Sequence, residues 1–198
     1  MTGVQTCALP ISGDEHPSFM QQLIDLRQSH YIHQNEMFNI VMKDILSRAR
    51  ANPDNSFQNL KDTLRAQVSD TPEKREYTVT YTIDMSAFLQ QDDPIALWYR
   101  DTDRCGNVRT SYINVSTLVA LDKPVLTRYM LHTDPQVQQL RTMLRSEFPE
   151  ARIVPKMEYQ HYNVLNMHIN IIYTLPPLDK SKITIHTIPQ KEIVSNEW

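Results

Sequence analysis

The longest strict alternation in this chain runs from His161 to Thr174, HYNVLNMHINIIYT. Leu165, Met167, Ile169, Ile171 and Tyr173 fall on one side of a strand, and Asn166, His168, Asn170 and Thr174 fall on the other with Ile172. One face needs a core, while the other presents a row of amide and imidazole groups. Tyr77, Val79, Tyr81, Ile83 and Met85 alternate in the same way with Thr78, Thr80, Thr82 and Asp84, and this half-buried strand is expected beside the first. Two shorter runs, Ile95 to Arg100 and Val108 to Val115, flank DTDRCGN at 101–107. They predict a hairpin in which Gly106 or Asn107 supplies the positive φ. Ile153 to Tyr159 adds a further strand. Ile183, Ile185 and Thr187 suggest a last short edge strand stopped by Pro189.

The helical period governs the rest of the chain. Ser18 and Gln21 resemble a capping box ahead of Met20, Leu23 and Ile24, so a helix is expected to begin there. Ile24, Tyr31, Phe38, Met42, Ile45 and Ala49 then recur at roughly helical spacing without a proline until Pro53. They predict one long helix, or two joined near Gln34. After the turn at Pro53-Asp54-Asn55, a second helix capped by Asn55 or Ser56 carries the stripe Phe57, Leu60, Leu64 and Val68. Ser86 to Gln91 reads as a short helical turn. Lys123-Pro124 splits the stretch from Leu118 to Met130 into a helical part and a part that is extended or helical. Asp134-Pro135 opens another helix, with Val137, Leu140, Leu144 and Phe148 on one side and Pro149 as its stop.

This order of elements predicts an α+β protein. A helical hairpin segment over 13–70 precedes a mainly antiparallel sheet over 71–190 with one or two covering helices, and 191–198 forms a loose tail. The first twelve residues, MTGVQTCALPIS, resemble the translation of a sequencing-library adapter. They are read as a non-native leader, with the true start of the protein lying elsewhere. Setting the leader aside leaves Cys105 as the sole cysteine, which predicts no internal disulfide and a reducing, intracellular compartment, cytoplasmic or nuclear. No apolar run approaches the roughly 18 residues that a membrane span requires.

Glycine excludes more than any other count. Gly106 is the only glycine beyond the leader and its neighbour Gly13, against an average of about 7%. A phosphate loop, a dinucleotide-binding turn and a nucleophile elbow each need glycines at fixed spacing, because backbone must approach a ligand or turn sharply with no Cβ in the way. None can be written from this chain. The net charge of -3 also argues against a globally basic nucleic-acid binder.

Local chemistry leaves a few candidates. Trp98, Tyr99, Arg100, Arg104, Arg109 and Tyr112 crowd onto the expected hairpin, interleaving stacking rings with phosphate-neutralising charge as single-stranded nucleic acid requires. Asp101 and Asp103 in the same loop oppose that field, and aromatic residues in strands serve more often as core or interface anchors. The strand face of Asn166, His168 and Asn170, with Thr78, Thr80 and Thr82 alongside, could floor a binding site. The commoner use of such a face is the solvated side of an antiparallel sheet. His30, His33 and Glu36, or His161 and His168 with His132 or Cys105, match no metal-ligand spacing, and neither metal nor cofactor is expected. Asp101-Thr102-Asp103 is a short acidic pair of a kind common in loops, and Glu147 and Glu158 are carboxylates without a visible pocket.

The reading that best fits this chain is a non-enzymatic structural or assembly protein. It would bind a protein partner, or itself, through its amphipathic helices. The alternative is a nucleic-acid-binding accessory factor using the hairpin at 98–112, and a third is a metal-dependent hydrolase around His168. No membrane partner is expected.

Overall fold

The computed structural model describes residues 17–90, 95–115, 123–160 and 164–187. The expected leader at 1–12, the expected tail at 191–198, His161 and the stretch 116–122 lie outside the described residues. The protein is α+β. In chain order its elements are α1 (Phe19–Ala51), α2 (Phe57–Asp70), β1 (Glu76–Asp84), β2 (Ala96–Thr102), β3 (Val108–Asn114), α3 (Lys123–His132), α4 (Pro135–Glu147), β4 (Arg152–Gln160) and β5 (Val164–Thr174).

Local signals place the helix ends. The Ser18 hydroxyl accepts the Gln21 N–H at 3.1 Å, and α1 then runs through Gln34 as one helix of 33 residues. Asn52 caps a 3-10 turn at Pro53–Asn55, and Ser56 rather than Asn55 caps α2 by accepting the Asn59 N–H at 3.2 Å. Asp134 accepts the N–H groups of Gln136 and Val137, both at 2.9 Å, with Pro135 in the first turn of α4. Beyond Lys123-Pro124 the chain is helical, because a proline in the first turn loses no helical hydrogen bond.

β5 is the centre of a three-stranded antiparallel sheet ordered β1–β5–β4. Val79 lies opposite Ile171, Tyr81 opposite Ile169 and Ile83 opposite Met167. On the far side of β5, Ile153 faces Ile171 and Met157 faces Met167. This register gathers the apolar row of every strand onto one face. That face forms a single core with Phe38, Met42 and Ile45 of α1, Leu60 of α2, Met130 of α3, and Val137, Leu140 and Leu144 of α4. Lys61 of α2 pairs with Glu147 of α4 at 2.7 Å, and Phe57 meets Phe148 edge-on at 6.0 Å, tying the second helix to the fourth.

The second helix packs chiefly on β1, and α1 packs on β1 and β2 alike, rather than the two packing on each other. Asn55, buried at their junction, closes the outer edge of β1. Its amide nitrogen donates to Thr82 O at 2.7 Å and to Ala49 O at 2.9 Å, and its oxygen accepts the Thr82 N–H at 2.9 Å. The Gln67 amide donates to Thr78 O at 3.0 Å. Side-chain amides thus stand where a further strand would pair, which protects an edge that otherwise invites association.

The hairpin β2–β3 is a separate two-stranded sheet. Its turn uses Gly106 at φ +83, and the Asp103 carboxylate accepts the N–H groups of Cys105 and Asn107 at 2.9 Å each. It rests on the middle of α1, where the Ala96 N–H donates to Gln34 Oε1 at 3.0 Å and the rings of Tyr31 and Trp98 meet edge-on at 5.5 Å.

The edge strand expected at Ile183, Ile185 and Thr187 does not form. A 3-10 turn at Lys180–Lys182 leads into irregular, exposed chain. The physical reason lies in the sheet edges: the β1 edge is occupied by Asn55 and Gln67, and the outermost β4 carries Pro155, which lacks an N–H to offer a neighbour. No helix among the described residues is long and apolar enough to cross a membrane.

Candidate functional site

The polar face of the sheet is organised by the same register that builds the core. Thr80 lies opposite Asn170, and Thr82, His168 and Lys156 line up across the three strands. The Thr80 hydroxyl donates to Asn170 Oδ1 at 2.9 Å. Thr82 Oγ1 stands 3.2 Å from His168 Nδ1, and His168 Nε2 stands 3.0 Å from Glu158 Oε2, so hydroxyl, imidazole and carboxylate form one chain across the sheet. With its proton on Nε2 and directed at Glu158, the imidazole can accept the Thr82 hydroxyl proton through Nδ1.

That order of groups is the one that activates a hydroxyl nucleophile, but the surroundings decide what it does. A nucleophile also needs donors aimed at a developing oxyanion and a concave hold on the substrate. The backbone N–H groups of β5 are committed to two ladders, and the residues of this face are half-buried or exposed apart from Ile172. The His168 side chain retains 21% of its surface. On an open sheet such chains of polar contacts act as cross-strand pairs that fix register.

The hairpin residues divide between two faces. Strand alternation places Trp98 and Arg100 on one side of the ribbon and Arg109 on the other. Arg104 sits at the tip, and Arg109 reaches Asp103 at 3.5 Å. The side chains of Tyr99 and Tyr112 lie outside the described residues. The four described side chains do not converge on one stacking surface, and Asp103 draws on one of the arginines.

The other acidic and histidine candidates are dispersed. Asp103 is engaged by its own turn: the Asn107 backbone N–H, aided by the Asn107 side chain and the Cys105 N–H, holds its carboxyl below the usual carboxylate range. Glu147 is paired with Lys61 and Glu158 with His168, so the two carboxylates do not face one site. Among the described residues no three His, Cys, Asp or Glu side chains stand where they could share a metal ion.

Two features stand out in space that the residue pattern did not localise. The first is the N-terminal half of α1. Every residue from Phe19 to His30 is exposed, including Phe19 at 74%, Leu26 at 69% and Met20 at 66%. The second is a cavity of about 170 Å³ beneath the α3–α4 corner, walled by Leu131, Val137, Ile153, Pro155 and Ile169 and reached by His132 and Arg141. The helical stripe from Met20 onward carried the signal for the first. The signal for the second was an arginine on an otherwise apolar helix face. Among known proteins, no family model, no curated protein and no solved structure matches this chain.

Proposed function

We propose that this chain is a non-catalytic interaction and assembly protein whose working surface is the projecting half of α1, and that the partner it takes there is a second copy of itself. The observation that carries this reading is a single stripe with two fates. Phe38, Met42, Ile45 and Ala49 bury in the core, while Met20, Leu23 and Ile24, about four to five turns upstream of Phe38 on the same side of the same helix, lie open. A helix in water owes most of its stability to an apolar face packed against something, and a segment of this length alone is marginal.

The chemistry of the segment favours like meeting like. Between Ser18 and Asn35 the only charged side chains are Asp25 and Arg27, which cancel, so there is no field to draw nucleic acid or an anionic surface. Phe19, Met20, Leu23, Ile24 and Leu26 from two copies contribute on the order of 15 kcal/mol on burial. Association consumes about half of that, which leaves affinity in the micromolar range.

Sedimentation equilibrium tests this reading. The wild-type chain should approach twice its 23.2 kDa mass at high micromolar concentration. A Leu23→Glu, Leu26→Glu double variant, altered only at exposed positions, should remain a folded monomer. A wild-type chain that stays monomeric across the range would overturn it.

A further inference from the structure

Arg141 occupies an unusual place on α4. Counting by helical turns, it lies on the same side as Val137, Leu144 and Phe148, all of them buried in the core. A guanidinium keeps its charge at any physiological pH, and a half-buried charge is costly unless an opposite charge meets it. Arg48 pairs with Asp44 and Arg65 with Asp62, yet among the described residues no acidic side chain meets Arg141; of the two carboxylates that flank it along the chain, Glu147 is paired with Lys61 and Asp134 is spent on the N-terminus of α4.

The space beside Arg141 is shaped. The cavity of about 170 Å³ lies between α3, α4 and the β4–β5 half of the sheet, and all its walls except His132 and Arg141 are aliphatic. An engineered apolar cavity of about 150 Å³ accepts a benzene ring, so the volume suits a body of that size. A cationic fork at the rim of an apolar cavity is the complement of an amphipathic anion with a planar carboxylate head. A larger hollow beside Leu64, Val68 and Leu175 lacks this pairing, because its one arginine, Arg65, is already bound to Asp62.

We propose that this cavity binds a small monocarboxylate with a flat or branched apolar body, an aromatic carboxylate being the simplest example. The ring packs among Leu131, Val137, Ile153 and Ile169, and the carboxylate takes a bidentate hydrogen bond from the Arg141 guanidinium. His132, exposed at the mouth, supplies a further donor. The ligand is held and not transformed, because no nucleophile or acid–base pair lines the cavity. This site is independent of the α1 surface and stands or falls apart from it.

Calorimetric titration of the full chain with benzoate, benzamide and inorganic phosphate tests the assignment. Benzoate should bind, and benzamide, the same shape without the charge, should bind roughly ten- to a hundredfold more weakly. Phosphate, with charge but no apolar body, should not compete. Arg141→Gln should lose benzoate affinity by a similar factor while leaving thermal unfolding without ligand unchanged or raised, since it removes an uncompensated charge. Arg141→Lys should fall between, keeping the charge and losing the fork. Ile153→Phe, at a partly buried wall position, should block the ring. No benzoate binding at millimolar concentration, equal binding of benzamide, or unchanged binding by Arg141→Gln would each overturn the proposal.

Discussion

The two halves of α1 are the same helix with the same apolar spacing, and they end in opposite environments. Phe38 and Ile45 retain 1% of their surface each, whereas Phe19 and Leu26 keep most of theirs. The difference lies in what stands opposite. Downstream, β1 and β5 present Val79, Tyr81 and Met167, and Phe88 stacks on Phe38 at 5.1 Å. At mid-helix the rim of the hairpin reaches α1, through Trp98 on Tyr31 and Ala96 on Gln34. Upstream of that, the described residues offer nothing. A helical period therefore reports that a face exists, and the fold decides whether that face is core or contact surface.

Substitution should separate the halves most sharply. Ile45→Ala leaves a cavity in a filled core and should cost about 2–5 kcal/mol in denaturant unfolding. Leu26→Ala, at a position exposed in the single chain, should change the unfolding of the dilute protein by under about 0.5 kcal/mol. Equal losses at the two sites would mean that the upstream half is already buried within one chain.

The junction between helices and sheet comes next in size. Asn55→Ala leaves Thr82 N–H, Thr82 O and Ala49 O without their partner, and should cost roughly 1–3 kcal/mol. Because those bonds close the β1 edge, the variant should also aggregate faster on mild heating, as followed by light scattering. Unchanged stability would show that water replaces the amide without loss.

The smallest effect is on alkaline stability. Burial pushes the phenols of Tyr81, Tyr129 and Tyr173 above their ordinary value of 10.0. Between that value and the folded one the native state keeps protons that the unfolded chain has released. Stability is therefore full below pH 10.0 and falls as pH rises through the folded values. Tyr81→Phe, at the most buried of the three, should make the alkaline loss shallower in thermal unfolding against pH. An unchanged slope would place the titration elsewhere.

Much of the architecture was legible in the residues. Alternation through Tyr77 to Asp84 and through Leu165 to Tyr173 marks two adjacent antiparallel strands, and Ser18 and Asp134 mark helix starts. Pattern misled at Ile183, Ile185 and Thr187, where alternation was present but both sheet edges were closed to a newcomer. It could not show that Asn55 belongs to the edge of β1, since the pair is 27 residues apart and only the packed helices bring it together. The candidate sites were less legible still. Trp98, Arg100 and Arg109 are close in sequence and split by the pleat, while Thr82, His168 and Glu158 are far apart in sequence and joined by register. Arg141 beside its cavity needed α3, α4, β4 and β5 in place at once.

Amide hydrogen exchange along α1, followed from low to high micromolar concentration, tests the central claim most directly. Paired with a second copy, residues 19–32 should exchange quickly when dilute and become protected as concentration rises, while Phe38 to Ala49 stay protected throughout. Exchange of residues 19–32 that does not depend on concentration, whether uniformly fast or uniformly slow, would contradict a second copy as the partner of this helix.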